Sequence, residues 1–287
     1  MSLLATLNYQ AGYNLSRLLS QSQAYRLADA LSLCSHHFKK SEREQVQKNI
    51  AIASQNKRSA QEIQELARQT YLNFGANIVN YLYDSRDPQF KTHLKNLTVH
   101  QPQHLQQSLS LKKGLILASI HGGNWEMGSF LFANTFGPLH VLASSQLLGK
   151  HIYDHYRLWR KGRGVETIDL DHQKASILHV LKKQGTIGIL CDRIYNNQYI
   201  EGDIFNKPAK LPKGPIALSL LTSSPMLFIW CDKIQSSYHL HFFPPLVPPP
   251  SQDATDTAKF TRLYFDRIGE LIQMDLSRWY CFPRIWI

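Results

Sequence analysis

The sequence has no apolar run approaching the roughly 18 residues that a membrane-spanning helix needs, so any work on lipid is expected from a membrane surface. The N-terminus, MSLLATLNYQAGYNLSRLLS, lacks the basic start and continuous apolar centre of a cleaved signal peptide. Cysteine is scarce. Cys34, Cys191, Cys231 and Cys281 are widely spaced and make no C-x-x-C, so neither a disulfide framework nor a zinc site is indicated, and a reducing compartment fits. Acidic residues are outnumbered, 21 Asp and Glu against 32 Lys and Arg, and the formal charge of +11 favours polyanionic partners. Nucleic acid is set aside because zinc-finger spacing, a basic zipper and an RNP-like aromatic motif are all missing. An anionic membrane surface or an acidic carrier protein remains. No G-x-S-x-G supplies a serine nucleophile.

What is present is a chain of 287 residues, 43% of them apolar, enough for one α/β domain over residues 1–287. It is organised around Leu115 to Gly128, LILASIHGGNWEMG. Leu115 to Ile120 is a short apolar run entered through Gly114, which predicts a buried strand. Gly122 and Gly123 permit a tight turn, Asn124 is a good N-cap, and Trp125 onward predicts a helix reaching Gly137. His121 then ends a strand and Glu126 lies in the first turn of a helix. Read from the residues, this H-x-x-x-x-E has two meanings. His121 is a base whose tautomer Glu126 fixes, or it is a turn residue and Glu126 only complements the helix dipole. The Gly-Gly N–H groups are candidate donors to an oxyanion.

Residues 1–110 read as a helical portion and 111–287 as an α/β core. Tyr13 to Phe38 has leucines suited to a helical hairpin or an interfacial segment, with core packing the commoner outcome. Ser41 with Glu44 and Ser59 with Glu62 are capping-box signatures. After Ser59, the face of Ile63, Leu66, Ala67, Tyr71, Phe74, Ile78 and Leu82 is expected in the core rather than along a lipid groove. Beyond Gly137 the punctuation predicts a strand at Leu139 to Ala143, a helix at Lys150 to Lys161 and a strand at Val165 to Ile168. A helix capped by Asp171 and stopped by Gly185 follows, then a strand at Thr186 to Leu190. His151 and His155 share a helix face, but the second position holds Ile152 rather than the Glu of a zincin, so no metal is expected. Arg163, between Gly162 and Gly164, can present its fork from a loop to a phosphate or carboxylate. Alternating helices and strands predict a mostly parallel central sheet flanked by helices, with ligands at the carboxyl ends of strands. His121 and Asp192 both fall at such ends. Asp192 is open to holding Arg163, orienting a hydroxyl or capping a turn. Met226 to Ile234 and Tyr238 to Phe243 read as a hairpin, PPLVPPP at Pro244 to Pro250 as irregular, and Asp256 as a helix start.

The block His121-Gly122-Gly123-Asn124-Trp125-Glu126 resembles the signature of the bacterial lipid A late acyltransferases, the lauroyl and myristoyl transferases, whose relatives acylate mannosylated phosphatidylinositol. The resemblance extends to Arg163 before Gly164, to Asp192, to the Pro- and Gly-rich loop from Phe205 to Leu218 with Lys207, Lys210 and Lys213, and to the aromatic and basic ending of Arg278, Trp279, Tyr280, Phe282, Arg284 and Trp286. Here Arg193 stands where Gln is usual. The resemblance implies a glycerolipid acyltransferase-like fold and transfer of a fatty acyl chain from acyl-carrier protein or acyl-CoA to a hydroxyl of a glycolipid or lysolipid, such as a lipid A precursor. It implies His121 and Glu126 as catalytic residues, Gly123, Asn124, Arg163 and Asp192 as substrate-binding residues, no cofactor, and work on the cytoplasmic face of a bacterial inner membrane. Members of that family usually begin with a spanning helix, which this sequence lacks, so its association with the membrane is expected to be peripheral. The alternatives are a non-catalytic basic protein that binds anionic lipid, and an acyl-thioester hydrolase. The ending of aromatics mixed with Arg suits a water–lipid interface.

Overall fold

The computed structural model describes residues 17–86, 88–251 and 253–287. Helix α1 (Gln21–Phe38) opens on a capping box of Ser20 and Gln23, a signature at neither of the two positions expected from the sequence. Part of the expected Tyr13 to Phe38 segment lies outside the described residues. Helix α2 (Lys40–Ala53) starts one residue before Ser41, which therefore sits inside the helix and caps nothing. Helix α3 (Ala60–Asp84) does open on the Ser59 and Glu62 box. Helix α4 (Gln89–Lys95) precedes β1 (Thr98–His100), a strand within the portion expected to be helical.

The rest of the chain winds around a sheet. Helix α5 (Pro102–Ser110) leads to β2 (Leu115–Ser119), α6 (Trp125–Phe136), β3 (Leu139–Ala143), α7 (Ser145–Leu148), α8 (Lys150–Lys161), β4 (Val165–Asp169), α9 (Lys174–Lys182) and β5 (Thr186–Leu190). The hairpin β6 (Tyr199–Ile204) and β7 (Lys207–Pro212) follows, then α10 (Gly214–Thr222), β8 (Met226–Ile234), β9 (Ser237–Phe242) and α11 (Ala254–Met274). A 3₁₀ turn, Leu276–Arg278, precedes the C-terminal segment. The main sheet is seven-stranded in the order β1-β9-β8-β2-β5-β3-β4. Its central pairs are parallel, and β9 runs antiparallel to β8. Such a sheet must be covered on both faces, and β2 shows it: Ile116 and Ala118 pack into one apolar cluster, Leu115 and Leu117 into the other.

Four local expectations change. The helix expected to start at Asp171 is α9, whose N-cap is Gln173. The Asp171 carboxylate instead accepts from Ser144 Oγ, Gln146 N and Tyr195 Oη, joining the loops after β3, β4 and β5. Helix α11 is capped by Asp253, three residues before Asp256. The Pro-rich segment after Phe205 is the ordered strand β7 rather than a loop. The C-terminal aromatics are core: Trp279, Tyr280 and Trp286 are buried, because Trp279 and Trp286 pack edge to face inside the cluster under β2 and β8.

Candidate active site

In the β2–β5 pairing Ser119 lies opposite Leu190, so residues two beyond each come out side by side at the carboxyl end of the sheet. These are His121 and Asp192. The ring Nδ1 of His121 lies 2.7 Å from Asp192 Oδ1, and the His121 backbone N–H donates to both carboxylate oxygens at 3.1 Å. Trp279 Nε1 donates to Asp192 Oδ2 at 3.2 Å. Asp192 is fully buried, while the His121 side chain keeps 19% of its surface.

The electrostatics fix the direction of the pair. Burial alone would raise the Asp192 carboxyl, but the imidazole, the hydrogen bonds it receives and Arg193 hold it below the usual range. An ionised carboxylate only accepts, so the Nδ1–H donates and Nε2 keeps its lone pair. Burial, opposed by Asp192, sets the His121 pKa below its ordinary value, so the ring is neutral at neutral pH. Nε2 makes no hydrogen bond within the described residues. A neutral, oriented imidazole with one open nitrogen is the form a general base takes.

The Gly-Gly turn is a packing device. Gly123 has φ +55°, and a Cβ there would lie 2.2 Å from Cys231 O; one on Gly122 would lie 2.4 Å from the Trp230 ring. The turn's N–H groups are occupied: Gly122 N donates to Ile120 O, Gly123 N to Arg278 O and Asn124 N to Cys231 O. They are therefore not oxyanion donors, contrary to the expectation. Nor does Asn124 cap α6 through its side chain, whose amide donates to Asn77 Oδ1.

Glu126 departs from its expected role. Its carboxylate is taken by Arg160 of α8, which donates from Nε at 3.2 Å and from Nη2 to the second oxygen. This ion pair borders a small, mostly apolar slot of about 80 Å³ lined by Leu117, Gly128, Val141 and Gly188. Arg160 Nη1 is buried without a hydrogen-bond partner among the described residues. A larger groove of about 590 Å³ separates α1 from α3, with Leu27, Leu31, Phe74, Ile78 and Leu82 on its walls. Part of the α3 face expected in the core thus lines a groove. Phe74 stacks on Trp125, whose ring contacts that of His121 at 5.7 Å between centroids, so groove and base adjoin.

A family model described as "Bacterial lipid A biosynthesis acyltransferase" matches residues 5–287. The chain belongs to that family. Among curated relatives of this family member, the phosphatidylinositol mannoside acyltransferase of Mycolicibacterium smegmatis is 23% identical over 197 residues, 67% of this chain and 63% of the relative. That of Mycobacterium tuberculosis (strain CDC 1551 / Oshkosh) is 24% identical over 190 residues, 64% of this chain and 58% of the relative. The chain spans about three fifths of the length of the curated relatives it matches. Among solved structures, the 1-acyl-sn-glycerophosphate (LPA) acyltransferase PlsC of Thermotoga maritima superposes with a TM-score of 0.38 at 12% identity, over 69% of this chain and 81% of that one.

Within this acyltransferase-family chain, the structure brings together His121, Asp192, Gly123 and Glu126, and leaves Arg163 apart. Arg163 donates from Nε to Ser85 O and from Nη1 to Trp159 O, and it stacks on the Trp159 ring at 3.8 Å. Its guanidinium is committed to α3 and α8, whereas Arg160 is held against Glu126 at the edge of the slot. The signal for it was available: Arg160 follows Tyr153 and Tyr156 at helical spacing, on the buried side of α8. Trp279 and Tyr280 left no comparable signal, since their partners are 87 or more residues away.

Proposed function

We propose that this protein transfers a fatty acyl group from an acyl thioester, acyl-carrier protein or acyl-CoA, to a hydroxyl of a glycolipid or lysolipid. His121 Nε2 takes the hydroxyl proton, the oxygen attacks the thioester carbonyl, the C–S bond breaks, and the imidazolium returns its proton to the leaving thiolate. No covalent enzyme intermediate is needed and the step as written uses no cofactor. Asp192, rather than Glu126, steadies the imidazolium. The single observation behind this is the 2.7 Å contact from His121 Nδ1 to buried Asp192, which leaves Nε2 without a hydrogen bond in a ring that Trp125 joins to Phe74 on the groove wall. Arg160, with a spare N–H next to the slot, is the candidate donor to the developing oxyanion, and Glu126 holds its fork.

The groove seats the lipid acceptor in this reading, and a lipid A precursor or another glycolipid fits the family. The mannosylated phosphatidylinositol of the relatives' printed names is the second acceptor to offer. No helix of the described residues is long and apolar enough to cross a membrane. We place the protein peripherally on the cytoplasmic face of a bacterial inner membrane, where its net charge of +11 meets anionic lipid. The test is thioester consumption with product analysis. An acylated acceptor supports transfer, free fatty acid as the sole product with every acceptor supports hydrolysis, and lipid binding with no turnover overturns both.

A further inference from the structure

Asp192 is held by three donors, and they differ in what they fix. The His121 backbone N–H lies 3.1 Å from both carboxylate oxygens, so it anchors the group without choosing between them. The choice falls to the side chains: the imidazole takes Oδ1 at 2.7 Å and Trp279 Nε1 takes Oδ2 at 3.2 Å. A carboxylate free to turn about its Cβ–Cγ bond would tilt Oδ1 away from the ring; with Oδ2 engaged, turning breaks a buried hydrogen bond. The indole is itself set against the base. Trp279 and Gly122 form an antiparallel bridge, flanked by Gly123 N donating to Arg278 O at 2.9 Å and Tyr280 N to His121 O at 2.7 Å. Two other tryptophans of the same apolar cluster are placed differently. Trp230 Nε1 is buried with no hydrogen-bond partner among the described residues, and Trp286 Nε1 donates to a backbone carbonyl, Ile204 O, at 3.4 Å. Of the three, Trp279 alone aims its N–H at a buried carboxylate.

We propose that Trp279 is a positioning residue for the proton transfer: its indole N–H fixes the Asp192 carboxylate, and the carboxylate so fixed keeps the His121 ring in the Nδ1–H tautomer with Nε2 as the base. The inference rests on the reading of His121 as general base, and it adds a residue that acts only through Asp192. Which ring nitrogen carries the proton is set by the hydrogen bond that the other nitrogen or its own N–H makes. Unconstrained neutral histidine prefers the opposite, Nε2–H tautomer, in which the nitrogen facing the acceptor hydroxyl has no lone pair to offer. Loss of the indole N–H therefore has a predictable direction.

The test compares the purified full chain with Trp279→Phe and Trp286→Phe, in ring-nitrogen NMR of isotope-labelled histidine and in turnover. Each variant deletes one indole N–H from the same cluster, and only the first of these reaches Asp192. The wild type is expected to show the neutral His121 ring, assigned with His121→Ala, as a single Nδ1–H tautomer. In Trp279→Phe the two ring-nitrogen shifts converge as the Nε2–H form is admitted, and kcat falls about tenfold at unchanged KM, the scale of one hydrogen bond to a charged group. Trp286→Phe keeps the single tautomer. A pure Nδ1–H ring in Trp279→Phe, or one lost equally in Trp286→Phe, overturns the proposal; the latter outcome means general loosening of the core. If Trp279→Phe does not fold, labelled tryptophan in the native sequence decides. The Trp279 indole resonance is expected to step as His121 is protonated, because both share one carboxylate, and to lose that step in His121→Ala. An indole resonance indifferent to His121 overturns the proposal. If the native protein shows no turnover, the general-base reading falls while the NMR comparison still decides Trp279.

Discussion

The floor of the site and its apolar wall are built by opposite means. At the floor, between the ends of β2 and β5, the buried carboxylate has fixed partners and the backbone is tight: Asp192 accepts from His121 and Trp279, and Gly123 lies against Cys231 O with no room for a methyl group. The wall is looser. Leu18, just before α1, is 82% exposed, and along α1 Leu31 is 59% and Phe38 79% exposed, and the helix is tied to α3 by polar contacts more than by buried leucines. Asp84 accepts from Gln21 Nε2 at 2.8 Å and from Lys233 and Tyr238, and Tyr83 Oη donates to Leu19 O. Under the proposed function, the difference separates what must be rigid, the proton-transfer geometry, from what must receive a greasy ligand of variable shape.

Changes at the floor should act most strongly on chemistry. His121→Ala is expected to lower kcat/KM for acyl transfer by about 10² to 10⁴ with unchanged circular dichroism, the usual scale of general-base loss. Asp192→Asn should come close to it. If Glu126→Gln abolished turnover while Asp192→Asn did not, the assignment of the two carboxylates would be reversed.

Gly123→Ala tests rigidity. With φ +55° and a Cβ 2.2 Å from a carbonyl oxygen, it is expected to cost about 3 kcal/mol in urea unfolding. A fully stable variant would mean that the floor yields as the wall does.

The wall responds to acid. Asp84 has its pKa lowered to about 2; burial opposes this, and His93, Lys233 and Tyr238 outweigh it. A depressed folded pKa gives stability that is present above the unfolded value near 3.8 and is lost as pH falls towards 2. About 2 kcal/mol should disappear over that window in the wild type and far less in Asp84→Asn, measured as urea midpoints at each pH. Equal losses would show that the network does not hold α1.

Smaller effects complete the contrast. The lowered pKa of His121 puts the acid limb of kcat/KM below the ordinary 6.5, and Arg193→Gln should move it upward, because Arg193 lowers the ring's pKa. Arg163→Lys should leave the rate unchanged, since Arg163 faces Trp159 and Ser85 rather than the base. Leu31→Ala should change stability by less than about 0.5 kcal/mol, as for an exposed site.

Much of the scaffold was legible because the signals were local. The strand–Gly-Gly–helix punctuation around His121, the helix at Lys150–Lys161 and the parallel sheet are consequences of hydrophobic period and turn chemistry that act within a dozen residues. The partner of His121 was half legible: both residues were expected at strand ends, but a carboxylate five positions on was an easier reading than one 71 positions away. Glu126 is drawn off because α8 brings a cation against it, a fact of helix packing. Ser41 and Asp171 show the other limit, for both have the composition of a cap and neither caps a helix. Arg163 failed for a related reason, since exposure in a loop says nothing about the aromatic ring waiting beneath it.

The antiparallel bridge between Gly122 and Trp279 has a temporal consequence. Gly123 N reaches Arg278 O, Tyr280 N reaches His121 O and Trp279 reaches Asp192, so His121 and Asp192 are clamped by residues made long after both. A nascent chain that has emerged through β9 already contains the base and its acid but lacks the clasp. The clasp therefore closes only after residues 278–280 have been made, through contacts of high sequence separation.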